Sequence, residues 1–102
     1  MAESYPLPGF QELVRSEKYI ITVSAFQTAA LMGFVGDDII DCIVNHLSPT
    51  HFYKTMLAES VSRLMQDVYK ITYESKRVYL KLQVNKAGIA VIVSFKEDES
   101  IP

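Results

Sequence analysis

The run from Arg77 to Val84 constrains this chain more than any other. It alternates strictly, with Val78, Leu80, Leu82 and Val84 apolar and Arg77, Tyr79, Lys81 and Gln83 polar. A period of two marks a strand with one buried face and one exposed face. Such a strand needs neighbours, and the flanking segments supply them. Asp67 to Tyr73 alternates as well, with Tyr69, Ile71 and Tyr73 on the core side, and Glu74 to Lys76 makes the turn between the two runs. Asn85-Lys86-Ala87-Gly88 is a second turn, and the mostly apolar run Ile89 to Lys96 reads as an inner strand.

The first half has a helical period. Pro8 and Gly9 open a segment with Phe10, Leu13 and Val14 on one face. Tyr19 to Val23 is rich in β-branched residues and reads as a short extended link. Ser24 stands three residues before Gln27, a capping-box pattern, and Phe26, Ala29 and Ala30 form an apolar face that Gly33 ends. Asp37 or Asp38 caps a third helix, with Ile39, Ile40, Ile43, Val44 and Leu47 toward the core. Ser48-Pro49 is a cap followed by a first-turn proline, and Thr50 to about Met56 reads as one more short helix. Helices followed by a meander define an α+β class, with N-terminal helices packed on one face of a C-terminal twisted antiparallel sheet. A chain of 102 residues fits a single domain, 1–102.

No stretch approaches the roughly 20 apolar residues of a membrane span. Met1 to Gly9 has neither the basic start nor the apolar run of a signal peptide. The single cysteine, Cys42, cannot form an intramolecular disulfide, which fits a reducing cytoplasm. A net charge of −2 counts against a nucleic-acid partner when the chain is taken whole. Its distribution points the other way. Residues 1–51 carry two basic residues against six acidic ones, whereas residues 52–96 carry eight against three. Glu97, Asp98 and Glu99 follow. A locally basic half steers anions to one surface.

Strand parity gathers that basic character. With Val78, Leu80 and Leu82 on the helices, Gln66, Lys70, Tyr79, Lys81 and Lys96 share the outer face. A four-residue turn pairing Val84 with Ile89 places Tyr79 opposite Ser94, Lys81 opposite Ile92 and Arg77 opposite Lys96. These five outer residues are cations, a phenol and an amide, with no carboxylate among them. Ammonium groups hold a phosphate and stabilise charge gained in a transition state. A tyrosine stacks on a base or relays a proton, and an amide reads a base edge or holds a phosphate oxygen. The set suits RNA, which carries its own nucleophile in the 2′-hydroxyl. It equally suits an ordinary solvated sheet face, a protein-interaction module with an open strand edge, or a small regulator. A DNA-binding regulator would need basic helices, and these are acidic. Cys42 and His46, four apart with His51 nearby, make a poor metal set without a carboxylate in register, so no metal is expected. His51, close to Lys54, is a candidate base, since histidine is the side chain suited to proton transfer near neutral pH, and equally a cap or surface residue.

Four linked blocks carry a family resemblance: Phe52-Tyr53-Lys54-Thr55-Met56, Met65-Gln66-Asp67-Val68-Tyr69-Lys70, Val78-Tyr79-Leu80-Lys81, and Val91-Ile92-Val93-Ser94-Phe95-Lys96-Glu97. In order and spacing they resemble the MqsR family of toxins from bacterial toxin–antitoxin pairs. The resemblance implies a fold like the RelE and YoeB toxins. It implies a cytoplasmic messenger-RNA interferase, an endoribonuclease that needs no metal or other cofactor and is held inactive by a cognate antitoxin, MqsA-like or other. It assigns catalysis to Lys54, Gln66, Tyr79 and Lys96, and the neighbouring Tyr53, Lys70 and Lys81 are the candidate RNA-binding residues. In that scheme Lys54 and Lys96 grip the scissile phosphate, and Gln66 orients it or a neighbouring base. Tyr79, its pKa lowered by the cations, or Lys54 itself, takes the 2′-hydroxyl proton, and the product is a 2′,3′-cyclic phosphate. Met65 stands where a familiar member has tryptophan, and residues 85–88 hold no histidine.

Overall fold

The computed structural model describes residues 2–58 and 64–100. Of the cations counted above, Arg63 lies outside them. Helix α1 (Leu7–Arg15) buries Leu7, Phe10 and Val14. It ends in a Schellman turn, with Lys18 N–H donating to Leu13 C=O at 2.9 Å and Glu17 N–H to Val14 C=O at 3.0 Å. Glu17 takes the left-handed position with φ 62°. Strand β1 (Tyr19–Ile21) leads into α2 (Val23–Leu31). The helix cap is Thr22, whose hydroxyl accepts from Ala25 N–H at 3.0 Å, rather than the expected Ser24. Gly33 ends α2 as expected, in the left-handed region at φ 89°.

Helix α3 (Gly36–Asp41) widens into a π turn over Cys42–His46, closed by Leu47 N–H donating to Cys42 C=O at 2.9 Å. Its cap is Val35. Asp38 sits in the first turn and reaches back to accept from Val35 N–H at 2.8 Å. A 3₁₀ turn (Pro49–His51) then runs straight into strand β2 (Phe52–Leu57). The helix expected over Thr50 to Met56 is therefore a strand. The Ser48-Pro49 start signal is real, but it governs one turn. Phe52, Tyr53 and Thr55 are strand formers, and they find β3 beside them.

Strands β3 (Met65–Tyr73), β4 (Lys76–Val84) and β5 (Ala90–Glu97) complete a five-stranded sheet of order β1-β5-β4-β3-β2. The sheet is mixed. β2 to β5 run antiparallel to their neighbours, but β1 pairs with β5 in parallel, Ile20 opposite Val91. Tyr19 to Ile21 is thus an edge strand and not merely a link. Glu74 and Ser75, both at positive φ, form the two-residue β3–β4 turn, and Lys76 already belongs to β4.

Two bulges set the faces. On β5, Leu82 stands opposite Ile92 but Lys81 opposite Ser94, leaving Val93 as the extra residue. The pairing of Val84 is with Ala90, so the expected register was off by one at the turn and by two beyond the bulge. Tyr79 therefore faces Lys96 instead of Ser94. Without the extra residue, Ile92 and Phe95, both fully buried, could not point the same way. Helix α2 holds the bulge in place, since Thr22 donates its hydroxyl to Val93 C=O at 2.9 Å and Thr28 to Phe95 C=O at 2.7 Å. On β2, Phe52 faces Tyr69 and Lys54 faces Val68, with Tyr53 as the extra residue.

All three helices cover one face, where Phe10, Val14, Ala29, Ile39 and Ile43 pack with Tyr69, Leu80, Ile92 and Phe95. Asp67 is buried on this side. Its carboxylate accepts Ser4 N–H at 2.9 and 3.0 Å and Tyr5 N–H at 2.9 Å, so the N-terminal segment is tied to β3. No helix among the described residues is long and apolar enough to cross a membrane.

Candidate active site

The outer face is laid out in rows across the strands. One row is Lys70, Tyr79 and Lys96, from β3, β4 and β5. The next is Lys54, Val68, Lys81 and Ser94, from β2 to β5. Tyr53 joins the first row because its bulge lets it face outward beside Lys54. Lys70 Nζ lies 4.0 Å from the centre of the Tyr53 ring, and Lys54 Nζ 5.8 Å from it. Lys96 and Lys81 stand 5.1 and 6.0 Å from the Tyr79 ring. Ammonium groups at such range are drawn to the ring faces.

Four lysines and two tyrosines thus converge on one surface. Gln66 is on the same face but apart. It stands opposite Met56, four residues along β3 from Lys70, or about 14 Å at strand rise. Its amide donates to Gln83 Oε1 at 2.9 Å. His51 has its Nδ1 occupied by Ser48 N–H at 3.0 Å, which fixes the neutral ring as the Nε2–H tautomer.

Two features depart from the sequence reading. Tyr79 is not a low-pKa phenol. Burial pushes it up first, and the negative charge of Asp98 and the neighbouring Tyr53 push it further. The face also carries a carboxylate beyond the five residues that parity gathered, that of Asp98. Asp98 Oδ1 lies 3.7 Å from Lys70 Nζ, and Oδ2 lies 4.0 Å from Arg77 Nη2. Neither Arg77 nor Asp98 was singled out from sequence. Parity had put Arg77 on the correct face, and the acidic triplet after a basic strand was the remaining signal.

Among the described residues no three of His, Cys, Asp and Glu converge on a metal position. Cys42 is fully buried, and burial pushes its thiol up to about 12, with Asp41 adding to the shift. His46 Nε2 pairs with Asp41 Oδ2 at 3.3 Å.

The family model for the motility quorum-sensing regulator, toxin of MqsA, matches residues 3–97. The chain belongs to the MqsR toxin family. It is 36% identical over 91 residues to the mRNA interferase toxin MqsR of Escherichia coli (strain K12), a match covering 89% of this chain and 90% of the relative. The MqsR match takes in every element of the fold and both rows of the outer face. It ends at Glu97, so Asp98 and the residues after it lie beyond the family match.

Proposed function

We propose that this toxin cuts RNA on the outer face of its sheet, in the cytoplasm and without a metal. The Escherichia coli relative is an mRNA interferase by name, and messenger RNA is the substrate carried over, with an MqsA-like antitoxin as the partner that restrains it. The observation that carries the reading is the row Lys70–Tyr79–Lys96 with Lys81 and Lys54 beside it. It offers fixed positive charge around a phenol, the requirement for stabilising a crowded, dianionic phosphorus centre.

In this scheme Lys96 and Lys81 flank the scissile phosphate. The 2′-oxygen attacks phosphorus, and the bond from phosphorus to the 5′-oxygen breaks, giving a 2′,3′-cyclic phosphate and a 5′-hydroxyl. Tyr79, protonated at neutral pH, supplies a proton to the departing 5′-oxygen. This reverses the role that a lowered pKa would have given it. Lys54 adds its positive charge beside the row to stabilise the charge gained at phosphorus, and the 2′-proton passes to solvent water. Tyr53 stacks on a base, and Gln66, at its distance from the first row, reads a neighbouring nucleotide.

The test is cleavage of messenger RNA by purified protein in EDTA, with fragment ends identified. Wild type should leave cyclic-phosphate ends. Lys54→Ala and Tyr79→Phe should each lower kcat by about 10²–10⁴-fold. Fragments with 3′-hydroxyl ends, or activity that disappears with the chelator, would overturn the scheme.

A further inference from the structure

Asp98 occupies an unusual place. It lines a crevice of about 520 Å³ with Lys70 and Arg77, and a second of about 360 Å³ with Tyr79 and Lys96. The strip of chain from Asp98 to Ser100 therefore lies against the proposed catalytic row, reaching Lys70 at one end of it and Arg77 beside it. It is fastened there. Asp98 N–H donates to Arg77 C=O at 2.8 Å, Lys70 Nζ to Ser100 Oγ at 3.2 Å, and Arg77 Nη2 to Ser100 C=O at 3.4 Å. Ser100 in turn gives Asp98 Oδ1 its N–H at 3.1 Å and its hydroxyl at 2.8 Å.

This arrangement has the chemistry of a bound phosphate. Two cations from adjacent strands, a hydroxyl and an amide N–H all converge on one carboxylate. Burial alone would raise the Asp98 carboxyl, yet the Ser100 hydrogen bonds with Lys70 and Arg77 hold it below its ordinary value. The anion is thus favoured where it sits. Arg77 is two residues along β4 from Tyr79, on the same face, which sets it about 6.8 Å away. A neighbouring phosphate of an extended strand would be offered that step.

We propose that Lys70 and Arg77 form a second phosphate subsite for the RNA strand, and that Asp98 is its internal stand-in, which RNA must displace. The tail is then a built-in competitor. This rests on the outer face being the RNA site. The segment lies beyond the residues that the family model matches.

The experiment compares the full chain, a form ending at Glu97, and Asp98→Asn in the full chain. Binding is read by anisotropy on an RNA oligonucleotide whose 2′-hydroxyls are replaced by hydrogen, so that it cannot be cut. Cleavage of unmodified RNA is read in parallel. Both variants should bind about three- to tenfold more tightly, the release of two surface ion pairs. KM should fall by a similar factor with kcat unchanged. The plot of log affinity against log salt should steepen by about 1.4 for the shortened form, the value for two freed cations on a single strand. Arg77→Ala in the shortened form should remove most of the gain. Glu12→Gln, an equal charge change on helix α1 behind the sheet, should give none.

Unchanged affinity and slope in both variants, with cleavage intact, would overturn the subsite alone. So would a gain that survives Arg77→Ala or that Glu12→Gln reproduces. A tail effect on binding in a protein that cuts no RNA would uphold the subsite and sink the cleavage reading. No RNA binding by any form would overturn both.

Discussion

Lys70 holds its ammonium 4.0 Å from the centre of the Tyr53 ring. The contact joins β3 to the bulged residue of β2, and it leaves the tyrosine more than half exposed, at 56%. A ring so oriented and charged on one side is a platform for a base. Tyr53→Ala should therefore raise KM by roughly tenfold or more, the range for loss of one stacked base, with a smaller change in kcat. Tyr53→Phe should retain most of the affinity. Steady-state cleavage kinetics would show the split, and an equal loss in Tyr53→Phe would point to the hydroxyl instead of the ring.

The phenol of Tyr79 gives a pH signature. Burial, then Asp98 and Tyr53, raise it above its ordinary value of 10.0. A group that must be protonated and has a raised pKa stays active to higher pH. The rate should accordingly hold through neutral and mildly alkaline pH, and fall only above the ordinary phenol range. In Tyr79→Phe that alkaline fall should be absent from the residual activity. A wild-type rate that instead rises with ionisation of this phenol would restore Tyr79 as the base.

Behind the sheet, Asp41 and Tyr73 form a pair that governs stability. Asp41 accepts from Asn45 at 2.8 Å and from Tyr73 at 2.7 Å, and these two bonds, with His46 beside them, hold it below its ordinary 3.8. Burial first, then the bond to Asp41, raises Tyr73 above 10.0. The depressed carboxyl stabilises the fold above its unfolded pKa, and this is lost as pH falls through its folded value. The raised phenol stabilises it below 10.0, and this is lost as pH rises through its folded value. Tyr73→Phe should be less stable than wild type between about pH 5 and 9, and the gap should narrow toward acid and strong alkali. Urea midpoints across pH would measure it. A gap independent of pH would mean the hydroxyl acts by packing alone.

What could be read from the sequence followed from periodicity. β3 and β4 were legible because their alternation is unbroken, and parity alone put Gln66, Lys70, Tyr79 and Lys81 outside. β1 was not, since three residues are too few to show a period and its partner lies about 70 residues on. β2 was misread because a strong helix-start signal at Ser48-Pro49 precedes it by only a few residues. The bulges at Tyr53 and Val93 leave no mark in a hydrophobic pattern, because they depend on hydrogen bonds such as Thr22 to Val93 that tertiary structure supplies. The pKa of Tyr79 and the return of Asp98 were illegible for the same reason: both depend on which groups the fold brings near.

The sheet order has a consequence for the timing of synthesis. β5 is the last strand made, yet it lies second in the sheet, between β1 and β4. Until residues 90–97 leave the ribosome, β1 has no strand to join, α2 has no bulge to hold, and Lys96 does not face Tyr79. A chain emerging N-terminus first therefore carries most of its parts for most of its synthesis with no assembled site. On the proposed reading, the face that cuts RNA is complete only when translation of the message that encodes it is finished.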